Sequence, residues 1–359
     1  MKPLKAIVAL AALFAAGAAP AMGADVPEEK DMGAYLMVYH KDDTHSLHMA
    51  ISYDGHTFTA VNNNEPVIAG DTIAMQRGIR DPHIFRGPDG AFYLAMTDLH
   101  IYAKQAGFRQ TEWERDGNKF GWGNNLGLVL MKSKDLINWT RANIRVDQLD
   151  PSLADIGCAW APETCFDPVK KKLMVHFTMR HGKEKTKLYY FYINDDFNKP
   201  EGKPEVLFTY PKEGKEAIDG NMVYKDGTFH LFYCSHDGKT GVKQATSKSI
   251  TGPWTFDDRL CDPEKIGCEA PSVYKLIGQD KWILMYDVYR ANPMNFGFSE
   301  TTDLETFKPL GRFDEGVMKR TNFDGQKHGA VTWLTKKEAK RLEEYWKKNQ
   351  RDFPGKIKL

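Results

Sequence analysis

Four carboxylates in this sequence occur at the same place in a recurring pattern. Asp81, Glu163, Asp219 and Glu269 each stand at the mouth of an apolar segment that runs into a short polar turn and then a second apolar segment. Asp81-Pro82-His83-Ile84-Phe85 leads to Pro88-Asp89-Gly90, and Ala161-Pro162-Glu163 leads to Lys170-Lys171-Lys172. Ile218-Asp219-Gly220 leads to Lys225-Asp226-Gly227, and Gly267-Cys268-Glu269-Ala270-Pro271 leads to Gly278-Gln279-Asp280. One acid before a strand is ordinary turn chemistry. Four in one register are not, because gathering carboxylates is costly unless a function or a cation uses them. Two carboxylates flanking a sugar suffice to break a glycosidic bond: one protonates the leaving oxygen, the other handles water or the anomeric carbon. A third nearby raises the pKa of the acid by like-charge repulsion. Asp81, Asp219 and Glu269 supply such a set, and spacing alone does not say which plays which part.

The elements that must position them follow from the same repeat. Apolar runs joined by short polar, mostly Gly-containing turns read as β-hairpins, and a fixed period of such units marks a repeat architecture. A second phrase lies downstream of the hairpins: a strand, then Ser or Thr, a few polar residues and an aromatic. It occurs at Ser133 before Trp139, Ser247 before Trp254, Ser299 before Phe307 and Ser52 before Phe58. The Ser52 copy, near the N-terminus, has no acid-led strand before it. His328-Gly329-Ala330-Val331-Thr332-Trp333-Leu334, near the C-terminus, is a first strand with nothing after it. Joined, they make a fifth unit. The expectation is an all-β, five-bladed β-propeller closed by pairing N-terminal strands with the C-terminal inner strand, plus a short C-terminal helix. Such folds have about 4–8 blades of four strands. Innermost strands begin near the central axis, so Asp81, Glu163, Asp219 and Glu269 are expected to face one funnel.

Residues 1–23 have the composition of a cleavable export signal: Lys2 and Lys5, the apolar run Ile7 to Ala19, then Ala21-Met22-Gly23. The protein is therefore expected in the periplasm or outside the cell. Residues 24–33 read as a flexible lead-in and 34–359 as one catalytic propeller domain. With 49 Lys+Arg against 48 Asp+Glu the chain is nearly neutral, which argues against nucleic acid or a charged membrane surface as partner. No run after residue 23 is long and apolar enough to insert in a membrane, and a monomer is expected. The five cysteines, Cys158, Cys165, Cys234, Cys261 and Cys268, leave at least one unpaired. Cys158 with Cys268 and Cys261 with Cys268 are both open as pairs. Ile101 to Asn125, with Trp113 and Trp122, is an insertion in the first full unit, either a plain surface loop or the wall of a substrate subsite. Thr335 to Asn349 reads as a helix with a Thr335/Glu338 capping box, packed through Leu342, Tyr345 and Trp346.

Arg80-Asp81-Pro82, Trp160-Ala161-Pro162-Glu163, Ile218-Asp219-Gly220 and Glu269-Ala270-Pro271 together resemble the ordered motifs of glycoside hydrolase family 43, an inverting family of five-bladed propellers. The resemblance implies that Asp81 is the general base that activates water, Asp219 the aspartate that tunes and orients the acid, and Glu269 the general acid. It implies an oligosaccharide or polysaccharide substrate and no required cofactor. His328 resembles the axial histidine that in some members touches a structural Ca2+ or its waters; as a plain residue it is a hydrogen-bonded core histidine. Trp160, Glu163, Arg290 and His328 are the candidate substrate-binding residues, with core packing the alternative for Trp160 and a turn role for Glu163. Within the family the expected activity is exo α-L-arabinofuranosidase first, then β-xylosidase, with galactofuranosidase or galactosidase open. A retaining fructan-cleaving propeller would share Arg80-Asp81-Pro82 and Cys268-Glu269, but the Asn-Asp-Pro-Asn start it needs is missing upstream. A non-catalytic carbohydrate-binding propeller is the alternative of another class.

Overall fold

The computed structural model describes residues 26–108, 115–238 and 240–357; the leader 1–23 and Trp113 lie outside them. Five sheets stand around an axis, each an antiparallel meander. Blade I is Ile79–Arg86, Phe92–Asp98, Gly127–Ser133 and Thr140–Arg145. Blade II is Ile156–Asp167, Lys172–His181, Lys187–Ile193 and Pro200–Phe208. Blade III is Ala217–Lys225, Thr228–Ser235, Gly241–Ser247 and Thr255–Asp257. Blade IV is Glu269–Lys275, Trp282–Val288, Asn295–Thr301 and Lys308–Arg312. The second strands of blades I and IV are buried at every residue. Sheets covered on both faces demand such near-continuous apolar runs in place of alternation.

Blade V joins the chain ends. Its inner strand, Lys327–Thr335, pairs antiparallel with Met32–His40, placing Trp333 opposite Tyr35 and Val331 opposite Met37. Leu47–Ser52 and Thr57–Ala60 complete the meander, and Lys319–Arg320 adds a short parallel pairing at the outer edge. This pairing removes the open seam that an unclosed ring of sheets would leave. Met32 already belongs to the strand, inside the stretch expected as a lead-in. The polar residues before it are also tied down: Lys275 Nζ donates to both carboxylate oxygens of Glu29 at 3.1 and 3.0 Å.

The recurrent Ser/Thr phrase is the turn from third to fourth strand. Ser133 Oγ bonds Asp135, whose Oδ1 then accepts the amides of Ile137 and Asn138. Ser52 with Asp54 makes the same turn in blade V. In blade IV it is built by Thr301 and Asp303, two residues beyond the expected Ser299. Ser299 is still within the strand, so the register of that copy is corrected. The helix Lys336–Lys348 has the Thr335/Glu338 capping box, and Arg86 grips Glu338 through two bonds of 2.9 Å. Leu342 and Trp346 are buried against Leu36, Val38 and Leu334, so the helix rests on the closing blade. All five cysteines are free, which settles against both pairings that the sequence left open. Among the described residues no helix is long and apolar enough to cross a membrane.

Candidate active site

Every inner strand carries one extra residue at the same point. Arg80 faces Thr97 but His83 faces Ala95, and Trp160 faces Thr178 but Glu163 faces His176. The same slip separates Ile218/Cys234 from Asn221/Phe232, Glu269/Asp287 from Ser272/Met285, and Lys327/His40 from Ala330/Val38. In each bulge the first residue is left-handed: Asp81 (φ 52°), Ala161 (45°), Asp219 (56°), Ala270 (56°) and His328 (39°). Non-glycine residues take this conformation rarely and at some cost, and bulges re-aim side chains. Pro82, Pro162, Gly220, Pro271 and Gly329 follow. At Gly220 a methyl would come within 2.7 Å of Leu188 Cδ1, so a larger residue there would have to displace that side chain.

This register corrects the sequence reading, in which the four acids were equivalent. Asp81 and Asp219 are left-handed bulge residues, on a level with His328, Ala161 and Ala270. Glu269 lies one residue earlier, on a level with Arg80, Trp160, Ile218 and Lys327. Glu163 lies two residues later, level with His83 and Asn221. The two alanines, Ala161 and Ala270, take little room on the level where the three polar residues converge.

His328 is the hub. Its Nδ1 is 3.3 Å from Asp81 Oδ1 and 4.0 Å from Asp219 Oδ2. Burial disfavours its charge, but Asp81, then Asp219 and Glu269, push its pKa up to about 9. Burial likewise opposes ionisation of Asp81, yet the His328 imidazolium and the Arg80 guanidinium hold its carboxyl well below the usual carboxylate range. Thr97 Oγ1 donates to Asp81 Oδ2 at 2.7 Å and fixes its plane. Asp219 goes the other way: burial, opposed by His328 and helped by the charges of Glu269 and Asp81, raises it to about 7. Its Oδ2 accepts the Ala270 amide at 3.2 Å, next to Glu269 in the chain. Glu269 is only partly buried. One member of the trio is thus firmly ionised while another stays protonated near neutrality.

The bulges are braced between blades, and the braces bring in residues that sequence reasoning missed. The Ala161 amide donates to Thr97 Oγ1 (2.8 Å), that of Asp219 to Thr178 Oγ1 (2.9 Å), that of His328 to Asp287 Oδ2 (3.3 Å), and that of Asp81 to His40 Nδ1 (3.1 Å). These four acceptors hold equivalent positions on second strands, and the fifth is Cys234, where Asp219 substitutes as acceptor. Asp287 stands directly across the hairpin from Glu269, fully buried and raised to about 7 by burial and by the Glu269 charge. Counting residues across the hairpin turn would have found it. Arg80 and Lys327, both buried, share Asp42 at 2.6 and 3.4 Å.

Of the other candidates, Glu163 accepts from Asn221 Nδ2 at 2.9 Å, with His83 and His176 nitrogens 3.7 and 3.9 Å away. It sits farther along the axis than the trio, in a buried polar cluster with Asn221, His83 and His176. Trp160 is half-buried and its Nε1 donates to Gly123 O at 2.8 Å. Arg290 is exposed and lies over its neighbour Tyr289, 5.4 Å from the ring centroid. The Tyr289 hydroxyl is held up by burial and by the Glu269 charge. As for an axial Ca2+, it seeks six to eight oxygens. His328 offers a nitrogen already facing Asp81, and the described residues contain no group of three His, Cys, Asp or Glu arranged around an ion.

A family profile described as a probable glycosyl hydrolase domain, of the family-43-related type, matches residues 30–340. No curated protein matches the sequence. An α-L-arabinofuranosidase structure from Clostridium thermocellum is similar, with 12% identity and TM-score 0.56, covering 79% of this chain and 92% of that one. An α-L-arabinanase of Cellvibrio cellulosa, solved with arabinohexaose, has 15% identity and TM-score 0.53, covering 80% of this chain and 96% of its own. A thermostable family-43 glycoside hydrolase has 12% identity and TM-score 0.53, with 82% and 93% covered. At these identities the structures show a shared fold.

Proposed function

The chain belongs to the family described as a probable glycosyl hydrolase domain, a relative of glycoside hydrolase family 43, and on that premise we propose that it is an inverting, exo-acting α-L-arabinofuranosidase. The observation that carries this reading is the convergence of Asp81, Asp219 and Glu269 from three separate strands on His328. In the reaction, Asp81 takes a proton from the water that attacks the anomeric carbon. It stays ionised because His328 and Arg80 stabilise its charge. Glu269, the member open to solvent, hands its proton to the departing oxygen, and Asp219, held next to it through the Ala270 amide, tunes and orients that acid. The arabinose specificity is supported by the arabinose-active proteins among the structural relatives. The leader-like residues 1–23 support export to the periplasm or medium.

The test is turnover on a panel of nitrophenyl glycosides, with the anomer first released followed by proton NMR. The arabinofuranoside should be the best substrate, with inversion, and Glu269→Gln should be inactive on it. Faster cleavage of the β-xyloside would replace the sugar assignment. Retention of configuration would remove Asp81 as water activator. A fully active Glu269→Gln would remove the catalytic scheme.

A further inference from the structure

We propose that Arg80 and Lys327 bind a carboxylate of the substrate, so that the sugar left behind on cleavage is a uronic acid and the glycan is acidic. The proposal rests on the glycoside hydrolase reading above and names the class of its leaving group.

Of the five inner-strand residues on the level of Glu269, two are cations: Arg80 in blade I and Lys327 in blade V, with Trp160 and Ile218 in the other blades. The inner strand of blade V packs between those of blades IV and I, so Lys327 comes between Glu269 and Arg80 around the ring. Burial opposes the charge of both. Asp81 and Asp42 outweigh it for Arg80, Asp287 and Asp42 for Lys327, and Glu269 adds to each.

Both cations are more than nine-tenths buried, Arg80 at 7% and Lys327 at 9% exposure. Charges taken out of water need partners, and these two share one. Asp42 Oδ1 accepts from Arg80 Nη1 at 2.6 Å, and Asp42 Oδ2 lies 3.4 Å from Lys327 Nζ. Among the described residues, Arg80 Nε and Nη2 have no hydrogen-bond partner, and Lys327 Nζ pairs with no carboxylate but Asp42. Nε and Nη2 form the edge of a guanidinium whose parallel N–H groups match the two oxygens of a carboxylate. A sugar hydroxyl can accept from one such donor but brings no charge.

The charge balance points the same way. Asp81 is held ionised and His328 is cationic up to about pH 9, while burial first of all raises Asp219 and Asp287 to about 7. Below that pH, with Glu269 protonated as a general acid must be, Arg80, Lys327 and His328 are matched by Asp42 and Asp81 alone. One substrate carboxylate evens the count. It belongs to the leaving sugar because the cations share the level of Glu269, which serves the departing oxygen. Asp81, which serves the anomeric carbon, lies one residue farther in.

Calorimetric titration of the native protein with D-galacturonate and with its neutral methyl ester tests the recognition without turnover. The acid should bind on the order of tenfold more tightly than the ester; equal affinity, or no detectable binding of the acid, overturns the proposal. Lys327→Met should remove most of that preference and Lys327→Arg should restore it. A preference that Lys327→Met leaves intact also overturns the proposal. The placement on the leaving sugar is tested with an arabinofuranosyl-galacturonate disaccharide and its methyl ester, where kcat/KM should be on the order of tenfold higher for the acid. Equal values overturn that placement, as does cleavage of nitrophenyl galacturonide in preference to nitrophenyl arabinofuranoside. If neither disaccharide is cleaved while the preference for the acid in binding persists, the arabinose assignment fails and the carboxylate site stands.

Discussion

Replacing Asp81 by Asn isolates the charge at the centre of the site. Asn keeps the size of Asp81 and can still accept from Thr97 Oγ1, which now donates at 2.7 Å, but it presents no anion to His328. In the native protein His328 titrates at about 9 against an ordinary 6.5, a rise that burial opposes and that Asp81 leads. The difference of 9 − 6.5 = 2.5 corresponds to ~3 kcal/mol favouring the imidazolium in the folded chain. The folded value lies above the unfolded one. This stabilisation is therefore fully present below about pH 6.5 and is lost as pH rises through about 9. Asp219 and Glu269 remain in the variant, so the midpoint should not fall all the way. A drop of at least about one pH unit, or ~1.4 kcal/mol, is expected. The assay is imidazole NMR across pH 5–10, with His328 identified by its missing signal in His328→Gln. Urea unfolding at pH 6 and pH 9.5 should agree, the variant losing less stability between the two than the native protein. A native His328 midpoint below 7, or one that Asp81→Asn leaves in place, would refute the account of how the water-activating carboxylate is kept ionised.

Two further outcomes follow from the braces and the thiols. Asp287→Thr installs the residue type that Thr97 and Thr178 use for the same brace, so its stability should stay within about 1 kcal/mol of native. Asp287→Ala orphans the His328 amide and should cost about 1–3 kcal/mol in urea unfolding; equal losses in the two variants would contradict the brace assignment. Burial pushes Cys158 and Cys261 up to about 12, and with buried thiols inert a thiol reagent should label the four buried cysteines, Cys158, Cys234, Cys261 and Cys268, only after denaturation. Rapid labelling of Cys158 or Cys261 in the native protein would contradict the packing described.

Much of the fold was legible in the order of residues. A hairpin is local: apolar runs, polar turns and strand-flanking prolines sit within a dozen or so positions, so four units and the orphan strands at each end could be counted. The capping box at Thr335 and Glu338 is equally local. So was the membership of Asp81, Asp219 and Glu269 in one constellation, because each marks the start of an inner strand. What could not be read was their relative height. A single bulged residue in each inner strand decides whether a side chain belongs to the level of Asp81, the level of Glu269 or the level of Glu163; the Pro or Gly after each bulge marks the place in the sequence but does not by itself say that the strand bulges there. Burial and charge also act between blades: Asp81 is held ionised by His328 from the far end of the chain, and Asp287 matters because it lies across a hairpin from Glu269. Those are distances through space between residues remote in sequence, and only the closed ring of five sheets sets them.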